Sequence, residues 1–261
     1  MMSVQAEIHV WANPRALARA AAERIVTRAQ ESMAAHGHFT IALSGGETPL
    51  ATYALLASDV DMREGMPWAH THVFWGDERT VPPDHADSNY RAAWETLLSK
   101  VPVLSQNVHR IHGEMTPSNA ADAYEARLRD CYALDTGEYP RFDLILLGFG
   151  ADGHTASLFP GTKALAEQYA WVLPNWVARL YSTRITLTAP VLNNASEVLF
   201  LVSGEEKALA LKGALEGPYE PEQLPAQLVQ PMDGRLLYYI DRAAASQLSS
   251  ALITGHADGE R

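Results

Sequence analysis

The chain has 261 residues, of which 47% are hydrophobic and 20% charged, enough to bury a real core and consistent with one α/β domain spanning 1–261. A formal net charge of -11 repels polyanions at long range, which argues against nucleic-acid and anionic-membrane partners and requires any cations for an anionic substrate to be gathered locally. The single cysteine, Cys131, excludes an intramolecular disulfide or a cysteine metal cluster, fits a reducing compartment and is expected to pack within a helix.

The first ten residues include Glu7 and His9 and lack a basic flank followed by an apolar stretch, so no signal peptide is read. No apolar run approaches the ~20 residues that span a bilayer, and the expected location is cytoplasmic. Asn13-Pro14 has a capping residue followed by proline at the first helical position, and the Ala/Arg/Glu-rich stretch after it runs to His36-Gly37, predicting a long helix. Phe39–Leu43 is a short apolar run that ends in Ser44-Gly45-Gly46 before Thr48-Pro49 opens a helical pattern: strand, glycine turn, helix.

The same grammar recurs at Thr71–Trp75, which runs into Gly76-Asp77-Glu78-Arg79 and a Pro/Asp-rich loop, with a helix opening near Ser88-Asn89. A strand-like stretch follows at Val108–Ile111, then a helix capped by Thr116-Pro117 and running through Cys131. Phe142–Leu147 is the most hydrophobic strand candidate, and its continuous apolar run predicts a central strand buried on both faces. Arg184–Thr188 alternates, Val198–Val202 reads as another buried strand, Glu205–Glu216 as a helix, and residues 255–261 as a frayed tail. Strands alternating with helices predict right-handed crossovers and a three-layer, doubly wound, mainly parallel sheet.

In open α/β sheets ligands bind beyond the carboxyl ends of the strands, and four polar loops leave those ends. In the first, Ser44 to Pro49, the paired glycines Gly45 and Gly46 let backbone approach a ligand, and a helix start at Thr48 offers N–H groups to an anion such as phosphate; a tight turn capped by Thr48 is the competing reading. In the second, Arg79 is a candidate phosphate clamp held by the carboxylates Asp77 and Glu78, against the alternative of a polar surface loop.

The third loop, Gly148 to Pro160, matches G-x-G-x-x-G through Gly148, Gly150 and Gly153. A dinucleotide site is rejected there, because no second strand ends in an acidic residue about 20 positions on and Pro160-Gly161 interrupts the expected helix. The glycines instead make room for a substrate beside Asp152 and His154, a carboxylate and imidazole one residue apart that suit a general base and its orienting partner. The fourth carries Lys207 near a helix N-terminus, against the dipole preference, which favours a ligand role over a solvated lysine. There is no nucleophile elbow and no H-E-x-x-H, and the pairs His70/His72 and His109/His112 lack a third ligand, so no metal is expected.

Together, Ser44-Gly-Gly-x-Thr-Pro49, Gly76-Asp-Glu-Arg-x-Val-Pro82 with Ser88-Asn89, Gly148-x-Gly-x-Asp-Gly-His-Thr-Ala-Ser-Leu-Phe-Pro160, Arg184-Ile-Thr-Leu-Thr188 and Gly204-x-x-Lys207 resemble the 6-phosphogluconolactonases over roughly residues 40 to 210. The resemblance implies the Rossmann-like fold shared with glucosamine-6-phosphate deaminase and ribose-5-phosphate isomerase. It also implies cofactor-free hydrolysis of a small sugar-phosphate lactone, 6-phospho-D-glucono-1,5-lactone, in the oxidative pentose phosphate pathway, by a monomer or weak homo-oligomer. By motif, His154 would be the base that activates water and Asp152 its helper. Ser44, Gly45, Gly46, Thr48, Arg79, Arg184 and Lys207 would hold the substrate, and Asp77, Glu78, Asn89, Gly150 and Gly153 would support the loops. Glu47 departs from the neutral or basic residue expected at its position.

Two rivals remain at this stage. An amino-sugar phosphate deaminase or isomerase would carry Tyr in place of Arg79 and Ile-Ala-Phe-Asn after its Asp-Gly-His. A non-catalytic sugar-phosphate sensor would normally carry a helix-turn-helix, and none is convincing here.

Overall fold

The computed structural model describes residues 6–135, 137–253 and 255–257. In chain order they form β1 (Glu7–Trp11), α1 (Pro14–His36), β2 (Phe39–Leu43), α2 (Glu47–Ser58), α3 (Val60–Gly65), β3 (Thr71–Trp75), β4 (Asp77–Arg79), α4 (Asn89–Thr96), α5 (Pro117–Tyr132), β5 (Leu144–Gly148), β6 (Val172–Val177), β7 (Ser182–Leu187), α6 (Ala189–Asn193), β8 (Glu197–Val202), α7 (Ala208–Glu216), β9 (Arg235–Asp241) and β10 (Gly255–Ala257). Local chemistry sets several of these boundaries. The Asn13 side chain accepts the Ala16 N–H at 3.0 Å to open α1, and Gly37, left-handed at φ 82°, closes it by donating to the Met33 carbonyl. Ser88 does the same for α4 by accepting the Arg91 N–H.

Seven strands make a parallel sheet in the order β10-β1-β9-β8-β5-β2-β3. Every residue of β2 and β8 is buried, as is β5 up to Gly148, which is what continuous apolar strands covered on both faces require. Helices α1, α2, α3 and α4 pack on one another, while α5 packs on β6 and β7, completing a three-layer α/β arrangement. Among the described residues, no helix is long and apolar enough to cross a membrane.

The structure departs from the sequence expectations in four places. Arg184–Thr188 does not join the parallel sheet: β7 is the middle strand of a separate antiparallel sheet, β4-β7-β6. Gly76 makes the transition, donating its N–H to the Leu43 carbonyl of the main sheet and accepting from Leu187 N of the small one. Val108–Ile111 is not a strand; Val108 makes one bridge to Val73, and the chain then turns beneath β4, where a side chain on Gly113 would lie 2.2 Å from the Arg79 carbonyl oxygen. The helix expected from Glu205 begins as a 3-10 turn and becomes α-helical at Ala208. At the C-terminus, Gly255–Ala257 is no frayed tail but an edge strand on β1; residues 258–261 lie outside the described residues.

Two buried tyrosines fix the strand ends on which the polar loops begin. Tyr53 of α2 accepts the Ser44 N–H at 3.0 Å and donates to the Ser44 carbonyl at 2.9 Å; Tyr124 of α5 accepts from Trp75 N at 2.8 Å and donates to its carbonyl at 3.0 Å. Each hydroxyl thus satisfies a donor and an acceptor where a ladder stops. Removing one leaves buried backbone groups unpaired, so Tyr124→Phe should lower unfolding free energy by about 1–3 kcal/mol, measured by urea denaturation.

Candidate active site

Parallel strands β2 and β3 run to one side of the sheet, whereas β5, β8 and β9 run to the other, so the chain changes winding direction between β2 and β5. At such a switch point the two loops diverge and leave a crevice above the strand ends. Ser44 Oγ bridges it, accepting Gly148 N at 3.2 Å. The cavity, about 180 Å³, is walled by Ser44, Gly45, Gly46, Thr48, Asp77, Arg79, Asn89, Gly150, His154 and Lys207 together with Glu47 and Ala156.

One wall is the start of α2. Gly46 sits at φ 99°, a conformation open to glycine, and no side chain caps the helix. The helix begins at Glu47, so Thr48 lies inside its first turn and is not the cap that a tight-turn reading requires. Glu47 is exposed there, where a carboxylate complements the positive end of the helix dipole. Gly45 must lack a side chain because a Cβ would fall 1.9 Å from Asn89 Oδ1.

A second wall is β4. Asp77 and Glu78 are buried, not part of a surface loop. Asp77 accepts Ser157 Oγ at 2.6 Å and Asn89 Nδ2 at 3.2 Å. Glu78 accepts the N–H groups of Arg79, Asn89 and Tyr90 and the Ser88 hydroxyl. Burial raises the Glu78 pKa, and these backbone donors oppose the rise.

The two carboxylates do not hold the Arg79 guanidinium, as the sequence reading had it; that group donates to the Asp87 carbonyl. Arg184 is outside the cavity wall. It is the register partner of Arg79, and its buried Nε has no hydrogen-bond partner among the described residues. Desolvation first, and the Arg79 charge second, lower the Arg184 pKa.

The third wall is the loop after β5. His154 Nδ1 lies 2.5 Å from Asp152 Oδ1. Burial pushes the Asp152 carboxyl up, but the hydrogen bond and charge of His154, with a smaller contribution from Arg179, outweigh it and hold the pKa at about 2. A carboxylate so ionised can only accept, so Nδ1 carries the proton and Nε2 is left as the basic atom.

Gly150 is required here: a Cβ would lie 2.0 Å from His154 Nδ1. Gly153, at φ 76°, turns the loop against Leu224, and Ala156 is also left-handed at φ 46°. Asp152 and Gly153 themselves are not in the cavity wall. The N–H groups of Gly148, Gly150 and Gly153 are all engaged, with Ser44 Oγ, His154 O and Gly150 O, and are not available to a ligand.

Lys207 completes the cavity from the 3-10 turn before α7, its ammonium 3.9 Å from Glu206 Oε1. Sequence spacing missed Arg179, whose guanidinium lies 2.5 Å from Asp152 Oδ2; it comes from the β6–β7 turn and carries no local signal. It also missed the pairing of His72 with His109, whose nitrogens approach to 3.1 Å. Burial first, then the Arg127 charge, press the His109 pKa down to about 3, which makes it a neutral packing residue. Among the described residues no group of three or more His, Cys, Asp or Glu could hold a metal ion.

The family model for glucosamine-6-phosphate isomerases/6-phosphogluconolactonase matches residues 12–238. The chain is 39% identical to a 6-phosphogluconolactonase of Synechocystis sp., over 93% of this chain and 98% of that protein. It is 36% identical to the probable 6-phosphogluconolactonase 2 of Oryza sativa subsp. indica, over 94% and 90%. It superposes on the 6-phosphogluconolactonase structure from Trypanosoma brucei with a TM-score of 0.83 at 32% identity, covering 95% of this chain and all of the other. With a cation-lined crevice at the switch point and a His–Asp pair on its rim, the chain belongs to the glucosamine-6-phosphate isomerase/6-phosphogluconolactonase family.

Proposed function

We propose that the protein hydrolyses 6-phospho-D-glucono-1,5-lactone to 6-phospho-D-gluconate, with His154 as general base. The observation that carries this reading is the His154–Asp152 pair facing a cavity whose other walls supply Arg79, Lys207 and the uncapped start of α2. The relatives named as 6-phosphogluconolactonases support the substrate.

The phosphate is the dianionic handle. Arg79, Lys207 and the first-turn N–H groups of α2 offer it charge and donors, and Arg184 adds positive potential from behind Arg79. Holding the phosphate fixes the lactone carbonyl near His154.

Nε2 takes a proton from water as the water oxygen bonds to the carbonyl carbon. Asp152, accepting from Nδ1, stabilises the imidazolium that forms. The tetrahedral adduct then collapses with cleavage of the bond to the ring oxygen, which receives the proton from Nε2, and water is the one co-reactant consumed.

Three outcomes are expected. Following the lactone by phosphorus NMR, with spontaneous hydrolysis subtracted, His154→Asn should lose ~10²–10⁴-fold of the catalysed rate; full retention would remove His154 as base. Arg79→Ala should cut kcat/KM for the phosphorylated lactone by about 10–100-fold while scarcely changing the rate with unphosphorylated gluconolactone, since only the former uses a charge-assisted contact. Because the Asp152 pKa is depressed from 3.8 to about 2, its stabilisation is present above the higher value and lost as pH falls through the lower. Asp152→Asn should therefore flatten the loss of stability between those two values in acid denaturation followed by circular dichroism.

A further inference from the structure

The β6–β7 hairpin is a four-residue turn. Val177 pairs with Ser182, residues Ala178–Leu180 form one 3-10 turn, and left-handed Tyr181 at φ 45° closes it by donating to the Ala178 carbonyl. This turn carries Arg179 across to the rim of the crevice. There its guanidinium makes two contacts: an ion pair with Asp152 Oδ2 at 2.5 Å, to a buried oxygen that accepts no hydrogen bond among the described residues, and a cation–π approach to the Phe159 ring at 4.9 Å. The same Phe159 ring stacks on the His154 imidazole, with centroids 4.2 Å apart and planes 21° from parallel. Asp152 and Phe159 are thus each shared between His154 and Arg179.

From this geometry, and resting on the reading of His154 as general base, we propose that Arg179 is a positioning residue that tethers Asp152 through Oδ2 so that Oδ1 stays on His154 Nδ1. Asp152 has two equivalent oxygens and two rotatable bonds, and its contacts to His154, from Nδ1 at 2.5 Å and the backbone N–H at 3.3 Å, both fall on Oδ1 and leave Oδ2 to be fixed from elsewhere. With Oδ2 drawn by the charge of a guanidinium that is itself seated on Phe159, one orientation is selected. The tether also has an electrostatic consequence. A guanidinium on the far oxygen offsets part of the carboxylate charge that the imidazole meets.

The other charged groups around the pair stay unchanged when Arg179 is replaced. Asp77, Arg79, Glu47 and Lys207 face His154 across the cavity, and Lys163 lies with Arg179 and Asp152 along the neighbouring groove. The Arg179 side chain is about half exposed, so its replacement opens no core cavity.

The test uses the full chain with Arg179→Met, Arg179→Gln and Arg179→Lys, measuring kcat and KM for the lactone across pH and the titration of the His154 ring by NMR. The expected result for Met and Gln is a fall in kcat of about tenfold or more, the scale that a small misplacement of a reacting group produces, with KM nearly unchanged. The acid limb of kcat/KM and the His154 ring titration should both move up by roughly half a pH unit or more, less than the ~1–3 units of a direct charge neighbour. Arg179→Lys should recover part of both. An unaltered kcat and acid limb, or a loss confined to KM, would overturn the assignment, the latter making Arg179 a substrate contact. Should wild-type protein fail to accelerate lactone hydrolysis, the functional reading falls, while an unmoved ring titration in the Met variant would count against the tether independently of turnover.

Discussion

Two adjacent carboxylates, Asp77 and Glu78, are buried at the point where the chain leaves the parallel sheet, and the surrounding site is organised by the need to satisfy them. A buried carboxylate without donors is costly, so each oxygen must recruit a partner. Glu78 recruits the backbone at the start of α4, and Asp77 recruits Asn89 from that helix and Ser157 from the loop after β5. Strand, helix and the loop after β5 are therefore bound at one polar node. Arg79 emerges from it with its backbone N–H held by Glu78 and its guanidinium turned to the Asp87 carbonyl.

The charge arrangement follows from that node. An acidic chain needs a local excess of positive potential to hold a phosphorylated substrate, and the β4–β7 ladder creates one by placing Arg79 and Arg184 in register. Like charges at opposed positions repel, and Arg184 is additionally desolvated, its Nε without a hydrogen-bond partner among the described residues. An anion held beside Arg79 would relieve this repulsion, in keeping with the phosphate site proposed there.

The His154 side of the crevice is built with the same economy of freedom. Gly150 leaves the space that the imidazole and carboxylate occupy, Phe159 supports the imidazole face, and Arg179 orients the carboxylate from outside. Beneath them, Tyr53 and Tyr124 hold the ends of β2 and β3, so the loops diverge from fixed points. Positioned groups on a rigid support are what proton transfer in a small, water-accessible site requires.

Features that depend on neighbours in sequence were legible without a structure. The capping of α1 by Asn13 and Gly37, the buried runs of β2, β5 and β8, the glycine turns and the closeness of Asp152 to His154 all arise from contacts within a few residues, where hydrogen-bond geometry and periodicity act directly. Weakly patterned strands were not: β6 lies at a sheet edge and contains Pro174, and the short β1 carries charged Glu7 at its start. Tertiary structure alone decided that β7 leaves the parallel sheet, that Arg184 backs Arg79, that Asp77 meets Ser157 and that Arg179 reaches Asp152. Those pairings join residues tens of positions apart through strand register and hairpin geometry, and local sequence chemistry carries no record of which distant partner a buried charge will find.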